Sequence, residues 1–152
     1  MLPTPKRVKL AAGSSEGTTP LNAFDGALLA AGIGNLNLLK VSSILPPGCV
    51  LDPEFAIPPG SLTPTAFGTL TAEEPGTRIA AAIGVGFSAD DYGVIMEFEG
   101  PVSRAEAEER VTLMVREGFA MRGKALTDLH VLGVEHTVKR VGSVIAAAVL
   151  WY

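Results

Sequence analysis

The run Val144-Ile145-Ala146-Ala147-Ala148-Val149-Leu150-Trp151-Tyr152 is apolar at every position and only as long as a strand. It falls far short of the roughly 20 residues that a membrane-crossing helix requires. A strand apolar on both faces has to be covered on both faces, so a sheet built from such strands needs layers above and below it. The chain has 152 residues, 47% of them hydrophobic and 18% charged. That length suits one domain, 1–152, since domains cluster near ~100–150 residues. The apolar excess fills a core and implies that one subunit cannot hide all of it.

Punctuation along the chain divides it further. Residues 7–12 read as a strand, followed by a small-residue turn at Gly13-Ser14-Ser15-Glu16-Gly17. Thr19 as N-cap and Pro20 in the first turn open a helix, with Leu21, Phe24 and Leu28 as its apolar stripe and Gly32 as its end. A strand is expected from Asn35 to Ile44, stopped by Pro46-Pro47-Gly48, and residues 49–61 are read as irregular. Strands follow at about 62–72 and 77–87 around the turn Glu74-Pro75-Gly76. After the loop Ser88–Gly93 comes a strand at 94–99. Ser103-Arg104-Ala105-Glu106 is a capping box for a second helix with Ala107, Val111, Met114 and Val115 on one face and Gly123 at its end. Strands at 127–138 and 142–151 finish the chain. This gives about seven strands and two helices, an α+β fold with β-α-β-β order in both halves. Two sheets back to back, each covered by a helix, make a four-layer α/β/β/α sandwich.

Several function classes are disfavoured. A net charge of −4 does not suit nucleic acid or an anionic membrane as partner. One cysteine, Cys49, leaves no internal disulfide framework, and with only His130 and His136 beside it no metal site is expected. No apolar segment follows the basic Lys6-Arg7-Val8-Lys9, so a cytoplasmic protein is expected. Gly13–Gly17 lacks the lysine and spacing of a phosphate loop and is read as a turn.

The serine pair Ser42-Ser43 at the end of an apolar strand, just before Pro46-Pro47, says little by itself. It gains meaning from its company. Gly13–Gly17, Pro20–Leu29, Gly32-Ile33-Gly34-Asn35, Ser42-Ser43-Ile44, Ile95–Gly100, Gly118–Gly123, Val134–Thr137 and Ala146–Tyr152 resemble, in order and spacing, the pyruvoyl-dependent arginine decarboxylase family. The resemblance runs from about residue 7 to the end. It implies a proenzyme that cuts itself between Ser42 and Ser43, giving a 1–42 β chain and a 43–152 α chain. The covalent pyruvoyl group made from Ser43 would form a Schiff base with the substrate amine and draw electrons from the bond to be broken. Arginine would become agmatine. No metal and no pyridoxal phosphate would be needed, and the protomers would form a trimer or a dimer of trimers, with the site between them.

Residue roles follow from the same resemblance. Ser43 must carry a hydroxyl because its Oγ is both nucleophile and leaving oxygen. Asn37, on the same strand face as Ser43 by alternation, would assist the cut by hydrogen bonding to the oxyanion; the competing reading is an ordinary strand-end amide. Glu97 matches the family's catalytic glutamate and would protonate the α-carbon. Ile95, Glu97 and Glu99 share one strand face, and two neighbouring carboxylates there are not both ionised if buried. The competing reading is a wet polar edge. Asp25 matches the aspartate that contacts the guanidinium; a solvated helix aspartate is the alternative. Gly34, Leu36 and Ser42 are further substrate-binding candidates. Arg122 and His136 fall in the matching blocks without a role. Two other functions remain open: a pyruvoyl decarboxylase for another amino acid such as histidine, and an unprocessed small-molecule-binding trimer.

Overall fold

Thr19 caps the first helix, α1 (Pro20–Ala30), by accepting the Asn22 N–H at 3.1 Å. Ser103 does the same for α2 (Arg104–Met121) through Glu106 N–H at 3.1 Å. Both helices end in the same way. Gly32 (φ 78°) and Gly123 (φ 61°) take up the left-handed turn. The next residue then bonds back to the third residue from the helix end, Ile33 N–H to the Leu28 carbonyl and Lys124 N–H to that of Phe119. The computed structural model describes residues 2–42 and 44–152.

The strands among these residues are β1 (Arg7–Glu16), β2 (Asn37–Lys40), β3 (Ile44–Leu45), β4 (Val50–Leu51), β5 (Leu62–Ala72), β6 (Arg78–Ser88), β7 (Asp91–Gly100), β8 (Asp128–Thr137) and β9 (Gly142–Trp151). They form two sheets, ordered β2-β5-β9-β1-β4 and β3-β7-β6-β8. Helix α1 lies against β1, β9 and β5 on the outer face of the first sheet, and α2 against β6, β7 and β8 on the outer face of the second. The four expected layers are present. β1-α1-β2-β5 and β7-α2-β8-β9 keep the β-α-β-β order, but β9 sits in the first sheet between β5 and β1. The halves therefore interlock across the layers.

β9 shows why its run has no polar position. Val144, Ala146, Ala148 and Leu150 face the second sheet, while Ile145, Ala147 and Val149 face α1. All seven are buried. Between the sheets Val144, Ala146, Ala148 and Leu150 meet Val8, Ala66, Ile83, Val85 and Ile95. Fully burying one such branched side chain contributes about 1.5–3 kcal/mol, which makes this double layer the main source of stability.

Four local expectations change. The strand expected at 7–12 runs on to Glu16, taking up most of the expected turn, because β9 pairs with every residue from Arg7 to Glu16. Gly13 serves packing rather than turning: a Cβ there would lie 2.4 Å from the Ala27 carbonyl oxygen of α1. The buried side of α1 is Ala23, Ala27 and Leu28, whereas Leu21 is 75% exposed, since small residues let the helix sit close to β1. Within the segment expected to be irregular, Val50 and Leu51 pair in parallel with Arg7 and Val8. Finally, the single strand expected from Asn35 to Ile44 is two short strands in different sheets.

Candidate active site

That last change creates the site. β2 is the outermost strand of the first sheet and β3 the outermost of the second, so the chain crosses between sheets through Val41 and Ser42. Ser43 lies outside the described residues. β2 accompanies β5 only from Leu62 to Thr65, and β3 accompanies β7 only at Gly93 and Val94. Past those points neither β5 nor β7 has an outer neighbour among the described residues, and the gap between the sheets is open at its side.

Glu97 stands at this opening. It lies three residues beyond Val94, about 10 Å along the strand, on the inward face of β7 that it shares with the fully buried Ile95. Its side chain packs over Gly68 of β5, beside Glu99. Partial burial raises the Glu97 carboxyl above the usual carboxylate range; Lys40 pulls it back and Glu99 adds a smaller push upward. A half-buried carboxyl raised in this way is better suited than a solvated one to carry a proton to a reacting carbon.

Lys40, the last residue of β2, places Nζ 4.7 Å from the ring centroid of Phe67, the residue before Gly68. Sequence reasoning gave neither Lys40 nor Gly68 a role. A lysine closing an apolar strand just before the serine pair was the available signal. Gly68 had none, because its neighbour across the gap is known only from the sheet stacking.

Ser42 lines an apolar cleft of about 270 Å³ with Leu2, Pro3, Pro5, Pro64 and Tyr152. Arg7 Nε donates to the Tyr152 carbonyl at 3.0 Å and fixes the chain end there. Asn37 Nδ2 donates to the Gly60 carbonyl at 2.9 Å, which ties the start of β2 to the loop before β5. An amide nitrogen has two hydrogens, so one N–H is left for another acceptor.

The remaining candidates lie elsewhere. Asp25 is exposed on α1, beyond the outer face of the first sheet. Gly34 packs against Leu29 in the exit from α1, and Leu36 joins the core on the α1 side and lines a second cleft of about 320 Å³ with Lys9, Phe55 and Pro59. Thus Ser42 and Glu97 lie on the crossover side of the sheets, Asn37 lies at the opposite end of β2, level with Leu62, and Asp25, Gly34 and Leu36 are not grouped with Glu97. The first sheet stands between Asp25 and Glu97.

His136 and Arg122 have structural partners. His136 Nε2 meets Glu16 at 2.5 Å, and Arg122 donates to the Gly118 carbonyl at 2.9 Å. Among the described residues no three His, Cys, Asp or Glu side chains are grouped to hold a metal, and no helix is long and apolar enough to cross a membrane.

Fold and site together define a layered α+β protein with an elevated carboxylic acid at the open edge between its sheets, next to an internal serine. A family model described as pyruvoyl-dependent arginine decarboxylase matches residues 7–152. The pyruvoyl-dependent arginine decarboxylase of Methanocaldococcus jannaschii is 52% identical over 150 residues, covering 97% of this chain and 91% of the relative. Those of Methanococcus maripaludis strain C7 and Pyrococcus horikoshii are 45% and 44% identical, covering 97% and 98% of this chain and 92% and 96% of the relatives. The chain belongs to the pyruvoyl-dependent arginine decarboxylase family.

Proposed function

We propose that this chain cuts itself between Ser42 and Ser43 and then converts L-arginine to agmatine and carbon dioxide. The observation that carries this reading is the meeting, at one sheet edge, of the Ser42 crossover with Glu97, whose carboxyl pKa is raised by partial burial. In the cut, Ser43 Oγ attacks the Ser42 carbonyl carbon, the C–N bond between the residues breaks and an ester forms. Loss of the Ser43 α-proton expels the Ser42 carboxylate, water replaces the nitrogen and ammonia leaves. Asn37, whose amide the Gly60 carbonyl orients, is the residue assigned to assist the cut; since β2 separates it from Ser42 of its own chain, it would act on a neighbouring protomer.

The pyruvoyl group made from Ser43 is part of the chain and needs no separate binding site. It supplies the electron sink for loss of carbon dioxide. Glu97 delivers the proton that replaces the carboxylate on the α-carbon. Asp25 pairs with the guanidinium, Gly34 and Leu36 shape that end of the site, and Ser42 borders the reacting end.

With the first sheet between Asp25 and Glu97, one substrate reaches both when they come from two protomers. Leu39 and Ile44, each more than 40% exposed on either side of the crossover, support an interface there. We read the assembly as a trimer or a dimer of trimers. Intact mass measured after incubation, together with agmatine formed from arginine, tests the proposal. A chain that stays whole and releases no carbon dioxide from arginine would sink it.

A further inference from the structure

Gly68 faces Glu97 across the gap between the sheets, and the acid itself occupies the space where a side chain would be. A Cβ at position 68 would lie 3.2 Å from Glu97 Cβ, 3.3 Å from its Cγ and 2.8 Å from Glu99 Oε2. The backbone does not call for glycine here, because position 68 is not among the glycines with positive φ. It sits mid-strand in an unbroken ladder opposite Ala146 of β9, where glycine weakens a strand. The next residue back, Phe67, carries Lys40 over its ring. What glycine provides at this point is room.

We infer that Gly68 is a positioning residue for the acid: its missing side chain is the niche that seats the Glu97 stem at the edge opening. The inference rests on the proposed role of Glu97 as proton donor. The two carboxylates respond differently to a filled niche. Glu99 is exposed and its carboxylate swings away at little cost. The Glu97 stem is anchored through its backbone to β7, paired with Ile83 of β6, and has to give by a few tenths of an ångström. A proton donor works only within hydrogen-bond reach of its carbon, and a misplacement of ~1 Å can cost ~100-fold.

The test combines kinetics with a titration. Gly68→Ala is expected to cut itself, keep its KM for arginine and lose about 2- to 10-fold in kcat. Glu97→Asp withdraws the acid by one methylene but keeps the Cβ and Cγ that meet position 68, so adding Gly68→Ala should cost little more than Glu97→Asp alone. A Gly68→Ala chain that fails to assemble would show that the glycine serves the fold instead and would overturn the inference. Wild-type kcat in Gly68→Ala, or losses that multiply in the double variant, would overturn the inference.

Carbon-13 NMR titration of the Glu97 carboxyl, with Lys40 and Glu99 as the charged groups facing it, reads the same displacement without turnover. Its midpoint should fall toward the ordinary glutamate value in Gly68→Ala as the group is pushed into water; an unmoved midpoint would overturn the niche. A wild-type chain that makes no agmatine would instead remove the proposed function and leave the titration to decide the niche.

Discussion

Glu16 and His136, 120 residues apart in sequence, meet at 2.5 Å where β1 ends beside the β8–β9 hairpin. The same carboxylate accepts the N–H groups of Lys139, Arg140 and Val141, at 3.3, 2.8 and 3.2 Å, and so caps the hairpin turn. The His136 hydrogen bond, with the turn N–H groups, holds the Glu16 pKa at about 2, against an ordinary value of 4.5. A carboxyl depressed by folding stabilises fully above its unfolded pKa and loses that contribution as pH falls through the folded one. Thermal unfolding of Glu16→Gln should therefore lie below wild type at neutral pH, with the difference shrinking between pH 4.5 and about 2. A difference that stays constant across that range would show that the charge contributes nothing.

Self-cleavage depends on the Ser43 hydroxyl, which both attacks and leaves. Ser43→Ala should remain a full-length chain with native assembly, while Ser42→Ala should still cut, more slowly. Denaturing electrophoresis after long incubation reads this directly. Two bands from Ser43→Ala would exclude the acyl-shift route.

Glu97 and Asp25 should give separable defects, because the first sheet stands between them. Glu97→Gln keeps shape but has no acidic proton, so it should mature and bind arginine while losing turnover. Asp25→Asn should mainly raise KM for arginine; a charge-assisted contact of ~1.5–3 kcal/mol corresponds to roughly 10- to 150-fold. Steady-state agmatine formation, with histidine and lysine as competing substrates, measures both. An unchanged arginine KM in Asp25→Asn would remove that residue from the site.

Lys40 draws the Glu97 carboxyl downward against the effect of burial. Removing its charge should raise the Glu97 pKa, keep the acid protonated to higher pH and move the upper limb of the kcat profile upward. Lys40→Met should show this and Lys40→Arg should not. Because Lys40 is exposed, added salt should move the wild-type profile the same way. A profile indifferent to both changes would mean that Lys40 has no electrical hold on the acid.

Filling Gly13 should destabilise without touching the chemistry. A Cβ there meets the Ala27 carbonyl oxygen of α1 at 2.4 Å and the backbone nitrogen of Ala31, its C-cap, at 2.6 Å, which cannot swing aside as a side chain can. Overpacking of this kind costs about 1–3 kcal/mol. Gly13→Ala should unfold earlier on heating, while any correctly assembled protein keeps the wild-type KM.

What the sequence determined by itself was local and periodic. Thr19, Pro20, Ser103 and Gly123 mark helix ends through backbone hydrogen bonds made within a few residues. The apolar run of β9 announces a strand covered on both faces because burial acts on each side chain in turn. The resemblance in Ser42-Ser43, Glu97 and Asp25 was likewise legible as a pattern of residues. Tertiary structure decided what lies opposite what. Pairing with β9 carried β1 through to Glu16, although Gly13–Gly17 looks like a turn. The crossing between sheets split the strand at 35–44, because Val41 and Ser42 pass from one outer edge to the other. Gly68 became the seat of Glu97 for the same reason: strands 29 residues apart in sequence are brought face to face only when two sheets stack, and no local spacing encodes which side chain fills the gap.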